Sequence, residues 1–372
     1  VKVFSRAPGD EFAFDLAYRL SQGYESYYVW AGNPISVTNF LQTTFGSSVV
    51  VIAFRDLLEL NVEFNFWTDL TQYGVKKIIE KIKQYPTTHF IILTSMEHLS
   101  KEINEPNASI VPCGGDITNH AVLYPTVDPI IDKNLDSEKT FISLNRHPRA
   151  HRLVLLSYLF GTKYNQHGFI TYIGQDKFNL PDCILDVVSW QFSDYHTPQR
   201  ELILQGYKQF YNNRSLVETD YESIYPTHND NVDNFIHRLG KLYKNSFVEI
   251  VTETSFAQPS FMITEKTLNS IYGCNFPILL SGVGAVNHLR EIGFDLFDDV
   301  VDHSYDQIHN PFDRIIAAIE DNKQLLLDAR YTKEQWQQNK SRFESNVYIA
   351  KHKMYKWYQD RAIDQFANIK CH

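Results

Sequence analysis

TFISLNRHPRAHRLVLLSYLFGTKYNQHGFITYIG, residues 140–174, decides the fold. TFISLN (140–145) is rich in strand-forming side chains, and RAHRLVLLSYLFG (149–161) is apolar at helical spacing and closes on Gly161. GFITYIG (168–174) is strand-like again. A strand, a helix and a second strand in succession form a βαβ unit, whose strands lie parallel with their faces covered.

The alternation continues on both sides. Downstream, SFVEIVTET (246–254) and FPILLSG (276–282) are strand-like, while TEKTLNSIYG (264–273), AVNHLREIG (285–293) and RIIAAIEDNKQLLLDA (314–329) are helical. Upstream, VKVFS (1–5), SYYVWAG (26–32), SVVVIAF (48–54), HFIILTS (89–95) and ASIVPCG (108–114) are strand-like. Helices are expected at 9–23 and 75–85, the second amphipathic through Ile78, Ile79 and Ile82. DPIIDKNLDSEKT (128–140) is polar and is expected to link two α/β halves, and 333–366 is helical. The organisation is thus an α/β domain over 1–130, a second over 140–330, and a helical segment over 331–372 expected to pack back across both, burying Met354, Trp357 and Tyr358.

A length of 372 residues fits two domains at about 150 residues each. With 43% hydrophobic and 21% charged residues, the chain is neither disordered nor fibrous. A net charge of −9 gives no global pull toward nucleic acid or anionic lipid. Cys113, Cys183, Cys274 and Cys371 have neither disulfide-scaffold nor zinc spacing. The first residues read as a strand rather than a signal peptide, and apolar runs such as VVVIAF fall short of the roughly 18 residues of a membrane span. No transmembrane segment and a cytoplasmic location are expected.

Two stretches carry candidate chemistry. In FISLNRHPRAHR (141–152) a strand ends at Asn145, and Arg146, Arg149 and Arg152 follow with His147 and His151. Arginines at a helix start oppose the macrodipole and repel one another, a cost that a bound diphosphate would offset. In TETSFAQPSFMITEKTLNSIYG (252–273) a strand delivers Glu253 to a loop, and Thr264 stands as N-cap before Glu265 and Lys266. Glu265 suits a ribose diol and Lys266 a phosphate; an ordinary helix cap has the same T-E-K pattern.

The pair of motifs, S-L-N-R…R…R and then F-M-I-T-E-K-T-L-N-S-I-Y-G-C-N-F-P-I-L-L, resembles the nucleotide-sugar-binding domain of GT-B glycosyltransferases over about residues 140–305. The likeness is to α-1,3-fucosyltransferase-like and exostosin-like types, including relatives in bacteria and large DNA viruses. It implies two Rossmann-like domains facing a cleft, with a long C-terminal helix. It also implies that Arg146 or Arg149 binds the donor diphosphate, Glu265 the ribose and Lys266 a phosphate; Asn145, Arg152, Glu253 and Thr264 are further donor-site candidates, with Tyr172 or Gly174 near the base. No metal or other cofactor is required; the nucleotide-sugar is a co-substrate. The loop SGVGAVNHLREIGF (281–294) is longer than the small-residue turn of that family and leaves the sugar unassigned.

An inverting transfer needs a carboxylate base, for which Asp10 and Asp116, each after a strand, are the candidates. Each also fits a turn or helix cap, and a retaining mechanism needs neither. The expected acceptor is a saccharide or glycoconjugate. A hydroxymethylated base of viral DNA is the second option, served by a basic groove of Lys76, Lys77, Lys81 and Lys83. A non-catalytic nucleotide- or glycan-binding protein of the same fold is the alternative from another class. SGVGAV lacks the spacing of a phosphate loop, and Asp298, Asp299 and Asp302 read as a solvated acidic loop rather than a metal site.

Overall fold

The computed structural model describes residues 2–3, 23–30, 39–55, 77, 79–94, 103–112, 127–145, 150–172, 197–212, 239–253, 256 and 263–369. The chain divides into two compact units. One comprises Val1–Pro125, Gln258–Thr264 and Ala350–His372, the other Thr126–Ala257 and Glu265–Ile349. The strands are β1 (Lys2–Val3), β2 (Glu25–Trp30), β3 (Val49–Arg55), β4 (His89–Thr94), β5 (Ala108–Pro112), β6 (Phe141–Asn145), β7 (Gly168–Tyr172), β8 (Val248–Thr252) and β9 (Phe276–Leu280). The helices used below are α1 (Ala150–Gly161), α2 (Thr197–Asn212), α3 (Glu265–Tyr272), α4 (Ala285–Ile292) and α5 (Pro311–Glu320). They continue as α6 (Ala329–Gln338), α7 (Lys340–His352) and α8 (Met354–Ala367). The protein is α/β, with two parallel sheets. Among the described residues no helix is long and apolar enough to cross a membrane.

The first sheet runs β1-β2-β3-β4-β5, each strand parallel to its neighbour in the sequence. Right-handed crossovers that always step the same way lay their connections on one face. That face carries Tyr27, Val50, Ile52, Phe90 and Ile92 against Phe40, Ile82 and Ile103 from the connections. The period of two sends Val51, Ile91, Leu93 and Val111 to the other face, where Ala362 of α8 covers them. Tyr355, Phe366 and Ile369 flank Ala362 in the same cluster. On this helix Met354 and Tyr358 are buried and Trp357 is half-buried, with Arg361 5.0 Å from its ring centroid.

The helical tail is not one helix. It breaks at Asn339, whose side-chain amide donates back to Gln335 O at 2.8 Å, and again at Lys353. Residues up to Ile349 belong to the second unit, where Trp336 donates to Cys274 O at 2.8 Å and stacks with Phe343. The later residues belong to the first unit.

The second sheet has the order β7-β6-β8-β9, all parallel. Its α2 lies in a stretch where the sequence shows no clear pattern, because Gly206 interrupts the helical signal. The glycine is there for close approach: a Cβ on Gly206 would fall 1.7 Å from Ser157 O. Gly161 does the same, its Cβ position lying 2.1 Å from Leu202 O. Gly161 is therefore a packing residue, and the left-handed residue after α1 is Lys163, φ 65°.

The polar stretch 128–140 is sewn onto the second unit rather than left as a free linker. Ile130 N–H donates to Tyr272 O and Asn134 N–H to Lys244 O, both at 2.8 Å. Ser137 donates to Asn245 O at 2.7 Å, and Lys133 is buried with three oxygen acceptors.

Candidate functional site

In a doubly wound sheet the ligand crevice opens where successive connections leave a strand in opposite directions, outside the strand carboxyl ends. From β6 the chain steps to β7 on one side, and the next strand among the described residues, β8, lies on the other. The switch point of the second unit is therefore between the ends of β6 and β8. The first sheet, sequential across its described strands, has none.

The β6–β8 ladder is the shortest in this sheet. β6 pairs with β7 as far as Asn145↔Tyr172, and β8 with β9 as far as Thr252↔Leu280. Between β6 and β8 pairing is confined to Phe141↔Val248 and Ile142↔Glu249. Beyond it the strand ends are bridged by a side chain: Thr252 Oγ1 donates to Asn145 Oδ1 at 3.2 Å. Asn145 is held from below, its Nδ2 donating to Ser143 O and Oγ and its N–H to Thr171 Oγ1.

Helix α1 closes one side. Arg152 is 1% exposed and donates from Nη2 to Thr252 O at 3.0 Å. It braces the end of β8 rather than reaching into solvent. One residue earlier, His151 Nε2 donates to Glu253 O at 3.0 Å. Tyr172, at the end of β7, is buried edge-on against Phe210 of α2, ring centroids 4.8 Å apart. Arg146, Arg149, Gly174, Asp10 and Asp116 lie outside the described residues.

Helix α3 closes the other side. Thr267 Oγ1 donates to the buried Glu253 Oε1 at 2.6 Å, which fixes how the helix is rotated. Its first two residues, Glu265 and Lys266, keep 26% and 22% of their side chains exposed and pair at 2.8 Å. Thr264 immediately before them is buried. The structure thus brings Asn145, Arg152, Glu253, Glu265 and Lys266 to the ends of β6 and β8, with Glu265 and Lys266 the partly exposed members. His151, one of the histidines in the arginine-rich turn, joins them.

Below Glu253 on the same face of β8 lies Glu249, 2% exposed, accepting from Tyr243 Oη at 2.9 Å. Burial pushes its carboxyl up to about 8, so it is protonated at neutral pH. Between the ordinary glutamate value of 4.5 and about 8 the folded chain holds a proton that the unfolded chain has released. Stability from this group therefore falls as pH rises through that window. Glu249→Gln is expected to flatten the profile and gain a few kcal/mol at pH 8 and above, read from urea midpoints between pH 5 and 9.

The remaining sequence signals resolve into internal partners. The amides of Gly284 and Val286 in SGVGAV bond to the carboxylate of Asp306, so this turn serves an internal anion. Asp298 pairs with Arg290 and His303, Asp299 with Arg342, and Asp302 accepts from the Ser304 N–H. Of the lysines considered for a basic groove, Lys77 pairs with Glu80 and Lys83 with Glu105. Lys81 is 7% exposed, lying over the rings of Phe45 and Tyr85. Lys76 is outside the described residues.

No protein-family model matches this chain, and no curated protein is significantly similar to it. The fold and the geometry at the switch point carry the functional reading.

Proposed function

We propose that this chain is a glycosyltransferase of the GT-B type. Its second unit would bind a nucleotide-diphosphate-sugar at the ends of β6 and β8, and the sugar would pass to a hydroxyl of a saccharide or glycoconjugate. The observation that supports this reading is the switch point between β6 and β8, with the Lys266–Glu265 pair, partly exposed, at the start of the helix that follows β8. A switch point with a lysine at the adjoining helix start suits a phosphorylated ligand.

Each residue has a role in that reading. Lys266 leaves Glu265 for the diphosphate and stabilises the charge that develops as the nucleotide departs. Glu265, released from Lys266, accepts from the ribose hydroxyls. Asn145, Thr252 and Arg152 fix the crevice floor. The diphosphate clamp is assigned to Arg146 and Arg149, and the base for an inverting transfer to Asp10 or Asp116. The engaged lysines of residues 77–83 favour a saccharide over DNA as acceptor.

The test is a titration of nucleoside diphosphates against wild type and Lys266→Ala. One diphosphate is expected to bind wild type and to lose about tenfold to a hundredfold in the variant, the size of a charged hydrogen bond. Slow hydrolysis of the matching nucleotide-sugar without acceptor would add turnover to binding. Equal affinity in both proteins removes Lys266 from the site, and no binding by wild type removes the reading itself.

A further inference from the structure

Arg314 of α5 is 1% exposed, among the largest fully buried side chains of the described residues. Its Nη1 donates to Ile308 O at 2.8 Å and its Nη2 to the carbonyl of Phe256, while its Nε has no hydrogen-bond partner. The guanidinium carbon is 4.5 Å from the Phe256 ring centroid. The ring of His151 stacks on the same phenyl group, 5.1 Å between centroids and 25° between planes. Both groups therefore lie against the same ring. His151 in turn holds the Glu253 carbonyl.

A buried guanidinium is costly to desolvate, and an apolar side chain would fill the same space more cheaply. The nearby buried Asp306 carboxylate offsets part of that cost, as it would for any cation; what arginine adds is a planar fork that fixes a carbonyl and a stack that fixes a ring at once. The chain leaving β8 is thereby tied at Glu253 O by His151 and at Phe256 by Arg314. Glu253 is the residue that sets the rotation of α3 through Thr267.

We propose that Arg314 is a positioning residue for the switch-point site: acting through Phe256 and His151, it fixes Glu253 and hence the helix start that presents Glu265 and Lys266. The proposal rests on the nucleotide-diphosphate reading of that site. Arg314 does not touch the ligand.

The experiment has two arms on the full chain. In the first, without ligand, the His151 imidazole is followed by proton–nitrogen NMR in wild type, Arg314→Lys, Phe256→Leu and Phe256→Tyr. Arg314→Lys and Phe256→Leu are expected to shift the Nε2–H resonance and speed its exchange with water at least tenfold; Phe256→Tyr, which keeps the ring, restores the wild-type signal. In the second arm, the diphosphate that binds wild type is expected to bind Arg314→Lys and Phe256→Leu about tenfold more weakly, and Phe256→Tyr as wild type. A merely structural Arg314 would lower the unfolding midpoint and leave both readouts in place. An unmoved His151 signal, or a moved signal with unchanged affinity, overturns the positioning role. Failure of wild type to bind any diphosphate overturns the site reading, and this proposal with it, without depending on the NMR result.

Discussion

Removal of residues 353–372 is expected to unfold the first unit. The reason is topological. A parallel sheet built in sequential order receives its connections on one face, and the opposite face has to be covered by something from elsewhere in the chain. Here Val51, Ile91, Leu93 and Val111 are each 0–1% exposed, and Ala362 of α8 is the buried residue packed with them. Four such side chains at about 1.5–3 kcal/mol each place roughly 6–12 kcal/mol at stake, an upper figure because a denatured chain already buries part of that surface. That is comparable to the whole stability of a typical domain. Amide exchange at β3 and β4 should lose its protection in the truncated chain, while amides of β6 and β8 keep theirs. Ala362→Asp is the point version: it sets a carboxylate against an apolar sheet face and should cost several kcal/mol. Unchanged exchange at β3 in both proteins would mean that something other than α8 covers the sheet.

The strands and the α/β class were legible in the sequence because buried parallel strands are nearly continuous apolar runs, as in VVVIAF and FPILL. The strand–turn–helix position of Asn145 and Arg152 was legible for the same reason. What stayed hidden was pairing at a distance. Nothing in T-E-T announces that Thr252 bridges to Asn145, or that Glu253 is covered by Thr267. Arg152 looks like its neighbouring arginines in the sequence, and only three-dimensional packing commits it to the Thr252 carbonyl. His151 could have been singled out by its place one residue before Arg152 on the first turn of α1. Arg314 and Phe256 lie 58 residues apart and carry no joint signal. Gly161 reads as helix punctuation, because a sequence does not distinguish a glycine that needs a backbone angle from one that needs to be small.

Lys133 shows the same limit with a larger energetic consequence. In DPIIDKNLDSEKT it looks like one charge among many in a solvated linker. In the fold it is buried, and its Nζ donates to Tyr243 O at 2.7 Å, to Gly273 O and to Asn275 Oδ1. Burial lowers its pKa, but three acceptors and no donor around the nitrogen are what an ammonium requires, since it has three protons to give and no lone pair. Those three oxygens come from the ends of separate elements, so one side chain ties the 127–140 stretch to the segments before β8 and β9. Lys133→Met is expected to destabilise the second unit by about 3 kcal/mol: three oxygens lose a donor at about 1–3 kcal/mol each, and the desolvation cost of the lost charge returns part of that. Lys133→Arg should fare no better, because a planar fork does not fit a pyramid of acceptors. The charge also leaves a signature beyond stability. Lys133 lowers the pKa of Glu249, so its removal should move the Glu249 titration above its value of about 8, and Glu249→Gln should abolish that difference. A Lys133→Met protein that unfolds at the wild-type urea midpoint, with an unmoved pH profile, would show that the three carbonyls find other donors and that the ammonium is no clip at all.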